Sequence, residues 1–224
     1  MKVTKISPST NLKDLYQIFV DNKFLCSISG NDLLESRLAS GDEIDQTKLS
    51  ELLYKSLKGK LASSALRYLA SRPHSENEIR RYLKKKLFGH CRETEEYKTI
   101  DSSKIIEEIL STLKINEYVN DEDFAKWLVI QRTSLKSVKS KNAIRAELQS
   151  KGIDQGLISA SLEKIDSESE EKRATAIAEK KLILLKNRNL EPKDLYAKLS
   201  RYLMSKGYSW EITRGVVDSL LKPF

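Results

Sequence analysis

Two cysteines, four prolines and eight glycines are all that the 224 residues contain. Cys26 and Cys91 stand far apart with no Cys-x-x-Cys pair, so neither a disulfide framework nor a redox motif is written here, and a reducing, cytoplasmic compartment is the expectation. So little glycine and proline excludes a loop-rich β-sandwich. Two histidines, His74 and His90, with Cys91 lack the paired spacing that structural zinc needs, and they read as part of a solvated loop. No apolar run reaches about 18 residues, which leaves nothing to span a membrane. The start, Met1-Lys2-Val3-Thr4-Lys5, leads into polar residues without the apolar centre of a secretion signal. No glycine-rich phosphate loop occurs, and Ser63-Ser64 near His74 has no acid at a spacing that implies a triad. No catalytic, metal-binding or cofactor-binding residues are assigned, and the chain is read as a non-enzyme.

What is present is charge and helical periodicity. Hydrophobic residues make up 39% and charged residues 32%, the balance of a helix-rich protein with much solvated surface. The formal net charge of +8 favours acidic partners, nucleic acid first. The most informative stretch runs from Ile144 to Ile165. Ile144 and Leu148 share a helix face, Lys151 offsets the negative helix end, Gly152 can take the left-handed stop, and Asp154 can cap the next helix. Leu157, Leu162 and Ile165 supply the buried stripe of that second helix.

The chain repeats this pattern. At a shift of roughly 55 residues, Leu199, Leu203, Lys206, Gly207, Ser209, Ile212, Val217 and Leu220 fall on the same roles. At roughly 65 residues the other way a degraded copy appears as Ile79, Leu83 and Lys86, with Leu87 in place of the glycine and a polar insertion, His90–Lys98, before the next helix. Each unit is three short helices, too small to be stable alone, so neighbours are expected to stack. The fold class expected is mainly α, with tandem three-helix repeats forming an elongated curved body and a small N-terminal β-hairpin appendage.

Expected boundaries are 1–45 for a leader of hairpin plus short helix, 46–118 for the first repeat with its lead-in helix, 119–168 for the second and 169–224 for the third. In the leader, Tyr16–Val20 and Phe24–Ile28 flank the turn residues Asp21-Asn22-Lys23. A short helix with Leu33, Leu34 and Leu38 follows, closed by Gly41. Thr47 is the expected cap of the lead-in helix, in which Gly59 is the expected point of a bend and which ends before Pro73. Ser75-Glu-Asn-Glu78 has the form of a capping box. Asp101 or Ser102 opens the next helix, and Asn120 or Asp121 caps the one after, where Glu122 and Asp123 suit a positive helix start rather than a metal site. Pro192 suits a first helical turn.

Arg132, Lys136, Lys139, Lys141, Arg145 and Lys151 lie in twenty residues with the one acid Glu147, and serines alternate with them. This is either a solvated helix connection or a surface that tracks phosphates without reading bases. If about five of these cations met single-stranded DNA, the log-log salt slope would be roughly −3.5. Arg80, Arg81, Lys84, Lys85 and Lys86 hold the matching place in the first unit.

Arg72-Pro-His-Ser-Glu-Asn-Glu-Ile-Arg-Arg-Tyr-Leu83, Tyr118-Val-Asn-Asp-Glu-Asp-Phe-Ala125, Ile144-Arg-Ala-Glu-Leu-Gln-Ser-Lys-Gly-Ile153 and Leu203-Met-Ser-Lys-Gly-Tyr208 together resemble the signature segments of the RecX family, bacterial regulators of the RecA recombinase. The resemblance runs from about Leu61 to the end. Ser140 stands where family members often carry glycine, and the His90–Lys98 insertion matches poorly. The resemblance implies a cytoplasmic, non-enzymatic modulator that needs no cofactor, binds RecA–DNA filaments, and limits strand exchange and ATP hydrolysis. Expected partners are the RecA filament and single- and double-stranded DNA without sequence preference, with no membrane and a monomeric state. Expected contact residues are Arg80, Arg81, Arg132, Lys136, Lys139, Lys141, Arg145 and Lys151. The alternative is a transcriptional regulator of the helix-turn-helix type, against which the second helices lack the Asn, Gln and Arg cluster that reads base edges.

Overall fold

The computed structural model describes residues 1–9, 14–134, 138–163, 165, 167–186 and 190–221. The chain divides into two compact units, Met1–Val119 and Asn120–Phe224.

The first unit opens with a three-stranded antiparallel meander of β1 (Val3–Pro8), β2 (Leu15–Val20) and β3 (Lys23–Ser29). The β2–β3 hairpin is present as expected, its two-residue turn formed by Asp21 and Asn22, both at positive φ (48° and 63°), the left-handed pair that matches strand twist. The expected hairpin is nevertheless a three-stranded sheet. Val3-Thr-Lys-Ile-Ser-Pro8 adds an edge strand that pairs from Val3↔Val20 to Pro8↔Tyr16. A lysine and a terminal proline disguise it in the sequence, and both are what an edge strand tolerates.

Nor is this sheet an appendage. Val3, Ile18, Val20, Cys26 and Ile28 are buried in one continuous core with Leu52, Leu53 and Leu57 of α2 (Gln46–Leu69). That core continues through Leu61 and Ala65 to Ile79, Leu83 and Leu87 of α3 (Glu76–Glu93) and Ile105, Ile106, Ile109 and Leu110 of α4 (Ser102–Ile115). The short α1 (Gly30–Ser36) ends at Arg37, which itself adopts φ 48°, and not at Gly41; Leu34 stays 76% exposed. Asp45, not Thr47, caps α2 through Lys48 N–H (2.7 Å), and the helix passes Gly59 without interruption. The capping box at Ser75 and Glu78 forms as read, with Arg72 forking onto Glu78 at 3.0 and 3.1 Å.

The polar insertion is neither a loop nor solvated throughout. His90 and Cys91 lie on α3, and the 3-10 turn Glu95–Thr99 buries Tyr97, whose hydroxyl accepts from Lys60 Nζ at 3.0 Å. His74 is buried, against the solvated-loop expectation. Its ring lies 3.7 Å from that of Tyr68, and burial holds its pKa below the ordinary histidine value. Among the described residues no group of three His, Cys, Asp or Glu side chains could hold a metal ion.

The second unit holds two three-helix sets with separate cores. Phe124, Ala125 and Leu128 of α5 (Asp121–Thr133) pack with Ile144 and Leu148 of α6 (Lys141–Ser150) and with Ile158 and Leu162 of α7 (Gln155–Leu162). Of the predicted stripe, Leu162 and Ile165 are buried as expected; at its first position Ile158 is fully buried and Leu157 only partly. Ala174, Ala178 and Leu182 of α8 (Ser167–Lys186), Leu199 and Leu203 of α9 (Pro192–Ser205), and Val216 and Val217 of α10 (Trp210–Leu221) form the other core. Asn120 and Asp154 cap α5 and α7, and Pro192 occupies the first turn of α9.

Both α6 and α9 close identically. Lys151 and Lys206 are the last-turn caps, and Gly152 (φ 80°) and Gly207 (φ 84°) follow in the left-handed conformation. Gly152 N–H donates to Gln149 O (2.9 Å) and Ile153 N–H to Leu148 O (3.2 Å); Gly207 N–H donates to Met204 O (2.8 Å) and Tyr208 N–H to Leu203 O (3.3 Å). This is the double backbone closure of a Schellman motif, its apolar partner being buried Ile153 or Tyr208.

The α9 closure also docks. Ser140, fully buried, caps α6 through Ala143 N–H and donates its own N–H to Lys206 O (3.2 Å), while Lys141 N–H donates to the buried Glu170 of α8 (2.7 Å). A Cβ on Gly207 would lie 2.7 Å from both Ser140 Oγ and Ala143 Cβ. A second tie crosses α5 and α6. Glu147 accepts a fork from Arg132 (2.9 and 2.8 Å) and a third bond from Lys139 Nζ (2.9 Å), and these partners pull its pKa down to about 2.

Two outcomes follow from these ties. Gly207→Ala combines left-handed strain with a clash and is expected to cost about 2–4 kcal/mol in chemical denaturation. Gly41→Ala, at φ 103° with open space around it, should cost only about 1–2 kcal/mol; equal costs would remove the docking role. Glu147→Gln is expected to lose about 1–2 kcal/mol at neutral pH, since Arg132 and Lys139 keep some solvent. A lowered folded-state pKa stabilises above the unfolded value, 4.5, and that contribution fades as pH falls towards 2, so melting curves of the two proteins should converge over that range.

Candidate nucleic-acid interface

The second-repeat cations are largely committed inside the protein. Arg132 and Lys139 close on Glu147, and Lys141 donates its Nζ to Ile165 O (3.2 Å). Arg145 donates to Asn142 on its own helix (3.3 Å), and Lys151 sits half-buried at the C-cap of α6. Lys136 lies outside the described residues. In the first repeat Arg80 pairs with Glu76 (2.7 Å) and Glu107. Of the expected contact residues, Arg81 is the one described side chain that is exposed rather than half-buried, and it forms no ion pair among the described residues.

Among the described residues two basic faces remain. On α3, Arg81, Lys84 and Lys85 are exposed and make no ion pairs among the described residues, and Lys86 lies 5.7 Å from the centre of the Tyr82 ring. On the third repeat, Lys181, Lys198 and Arg201 line a shallow groove with Tyr202 and Leu185, and none of them is ion-paired among the described residues. Lys181 and Lys206 lie 5.3 and 5.6 Å from the centre of the Tyr202 ring. These are cation–π distances, which fix long side chains without neutralising them.

The third-repeat face was missed in reading the sequence, although a signal existed. Arg81-Tyr82-Leu83 and Arg201-Tyr202-Leu203 are the same tripeptide at the same place in the repeat, and a lysine follows each tyrosine by four residues, Lys86 and Lys206. In both copies leucine goes into the core, and the tyrosine holds the lysine on the helix surface. In the second repeat the equivalent of the tyrosine is Glu147, which turns the same position inward to bind cations of its own unit. The repeats thus diverge in charge while sharing a backbone plan. The free cations offer a phosphate-binding chemistry with no base-edge readers.

Three family models match the chain in order: the RecX first three-helix domain over residues 63–90, the second over 120–162 and the third over 168–217. The chain is 32% identical over 215 residues to the regulatory protein RecX of Listeria welshimeri, covering 96% of this chain and 74% of that one. It is 31% identical over 220 residues to that of Clostridium beijerinckii, with 98% and 96% covered. The corresponding Bacillus subtilis protein is 28% identical over 97% of the chain and 76% of its own length. Among solved structures, a crystal structure of regulatory protein RecX superposes with a TM-score of 0.67 over 97% of this chain and 98% of the other at 23% identity. One of RecX from Lactobacillus salivarius gives 0.56 over 73% and 96% at 22% identity, and both show the likeness of fold. Tandem three-helix domains preceded by a three-stranded sheet, matched across nearly the whole chain by such relatives, establish that the chain belongs to the RecX family of regulatory proteins.

Proposed function

We propose that this protein binds RecA recombinase–DNA filaments in the cytoplasm and restrains them, lowering ATP hydrolysis and filament growth by occupancy and not by catalysis. The single observation that carries this reading is the pair of basic faces, free of ion pairs among the described residues, built on equivalent helices of the first and third repeats, α3 and α9, in a chain whose relatives are named regulatory proteins. A nucleoprotein filament presents the same phosphates again and again along its length. Cations repeated on equivalent helices suit such a ligand, and the absence of base-edge readers on them makes sequence irrelevant to the contact. Binding works as a monomer, because the basic helices recur within one chain. The repeat limits 46–118, 119–168 and 169–224 define the blocks that engage, with the sheet of the leader serving as part of the first block's core.

The test is the recombinase's DNA-dependent ATPase with this protein added below stoichiometry, alongside co-sedimentation with preformed filaments. The rate is expected to fall. Reversal of Arg81, Lys84 and Lys85 to Glu, or of Lys198 and Arg201 to Glu, should weaken co-sedimentation by about tenfold or more and relieve the inhibition. An unchanged ATPase at low salt, with filament binding demonstrated, would refute the proposal.

A further inference from the structure

The first repeat departs from the other two where its middle helix should stop. α6 and α9 end at glycine, whereas Leu87 stands at that point in α3, and the helix continues to Glu93. The extra length, about two turns, carries Phe88 and Arg92. Phe88 is 67% exposed, and the Arg92 guanidinium lies 6.0 Å from its ring centre. Spacings of three, four, seven and eleven residues from Arg81 put Lys84, Lys85, Phe88 and Arg92 on one helix face. Here an aromatic ring does interleave with the basic residues.

The ring also borders a groove of about 480 Å³ between α3 and α4, with Leu87, Cys91 and Ile106 as its apolar lining and Lys84 and Lys98 among its charged lining residues. Three of the lining charges are already matched: Arg80 pairs with Glu107, and Lys98 pairs with Glu95 at 2.7 Å, which leaves Lys84. Positive charge is therefore in excess along the stripe, and apolar surface is concentrated at one point of it.

We propose that the extended end of α3 is a binding site for single-stranded nucleic acid, in which a base stacks on Phe88 while Arg81, Lys84 and Lys85 hold the flanking phosphates. The site rests on the reading that the chain works at recombinase–DNA filaments, and it names the side chains that would touch the strand. A duplex hides the faces of its bases in its own stack, so the ring has nothing to offer it short of unstacking. A protein partner would call for a contiguous apolar patch, and this stripe has one ring set among cations. An exposed ring flanked by unpaired cations is instead the pairing that sequence-tolerant strand binders use.

The experiment is fluorescence anisotropy of a labelled oligo-dT strand titrated with the full chain at low salt, without recombinase. Phe88→Ala is expected to weaken binding by roughly 5- to 150-fold, the range that loss of one stacked base implies, without changing the salt slope. Phe88→Trp should retain affinity, and its fluorescence should be quenched on binding beyond any change from Trp127 and Trp210. Reversing Arg81, Lys84 and Lys85 to Glu should flatten the log-log salt slope by about 2. Against a duplex of equal length, Phe88→Ala and the unchanged protein should bind alike. The proposal fails if the unchanged protein does not bind oligo-dT, or if Phe88→Ala binds it equally well. It fails too if strand and duplex binding drop together, or if the variant loses only its binding to DNA-free recombinase. Recombinase ATPase, assayed in parallel, separates the two readings: strand binding that depends on Phe88 together with an unaffected ATPase would sink the filament reading and leave this site standing.

Discussion

A helix can end abruptly only if something takes the carbonyls that its last turn leaves without donors, and here that task falls to one left-handed glycine. At Gly152 and Gly207 the same two backbone bonds close the helix and throw the chain into the next one. The rest of each repeat depends on that reversal, because it brings Ile158 or Val216 back against Leu148 or Leu203 in a common core. Gly207 has a further duty. Its bare Cα lets the α9 closure sit on the capped start of α6, where Lys206 O accepts from Ser140 N–H. Ser140 contributes a side-chain cap at this seat, and the neighbouring Glu170 carboxylate adds negative charge at the positive end of α6. Two small repeats thereby become one cooperative unit, as bodies of this size must.

The same geometry decides which charges stay available. A count along the sequence treats every lysine and arginine alike, and it singled out residues 132–151 because only Glu147 stood against six cations. In the folded unit that one acid is worth more than its number. It lies between α5 and α6, and it takes the Arg132 fork and the Lys139 ammonium together. Local density of positive charge is a signal for electrostatic work, and for Arg132 and Lys139 that work is internal. Where tyrosine replaces this glutamate, at Tyr82 and Tyr202, the nearby lysines have a ring to lie on and, among the described residues, no carboxylate to neutralise them. Ring contacts order a cation without discharging it, so these faces keep their field.

Much of the helical plan was legible because caps are local chemistry. Ser75 with Glu78, Asn120, Asp154 and the lysine-glycine stops each act within five residues of chain, and each forms as its sequence indicates. What escaped is not announced by any such motif. β1 is a strand because β2 completes its hydrogen bonds and α2 buries Val3, and nothing between Val3 and Pro8 announces either. His74 is polar in a list of residues and buried in the fold, since Tyr68 and Glu78 come to meet it from two helices. Arg37 takes a left-handed conformation with a Cβ, at a cost that no propensity would have suggested four residues ahead of an available glycine. The basic faces stand between these cases: the repeated Arg-Tyr-Leu is visible in the sequence, but only coordinates separate cations that are free from cations that are spent.

Losing one glycine explains why the first repeat is not a copy of the others. Without the stop, Leu87 goes on into the core and α3 runs to Glu93, which delays α4 and leaves room for the turn that buries Tyr97. The insertion is therefore the consequence of a longer helix and not a separate embellishment. Its anchoring costs one apolar residue on the outside, Phe88, in a region where the surrounding side chains are cationic. Selection for solubility alone would favour a polar residue there, because nothing in the packing of α3 against α4 requires an exposed ring. A ring that the core does not use, beside charges that the fold does not neutralise, is what a repeat protein gains when one of its modules stops being interchangeable with its neighbours.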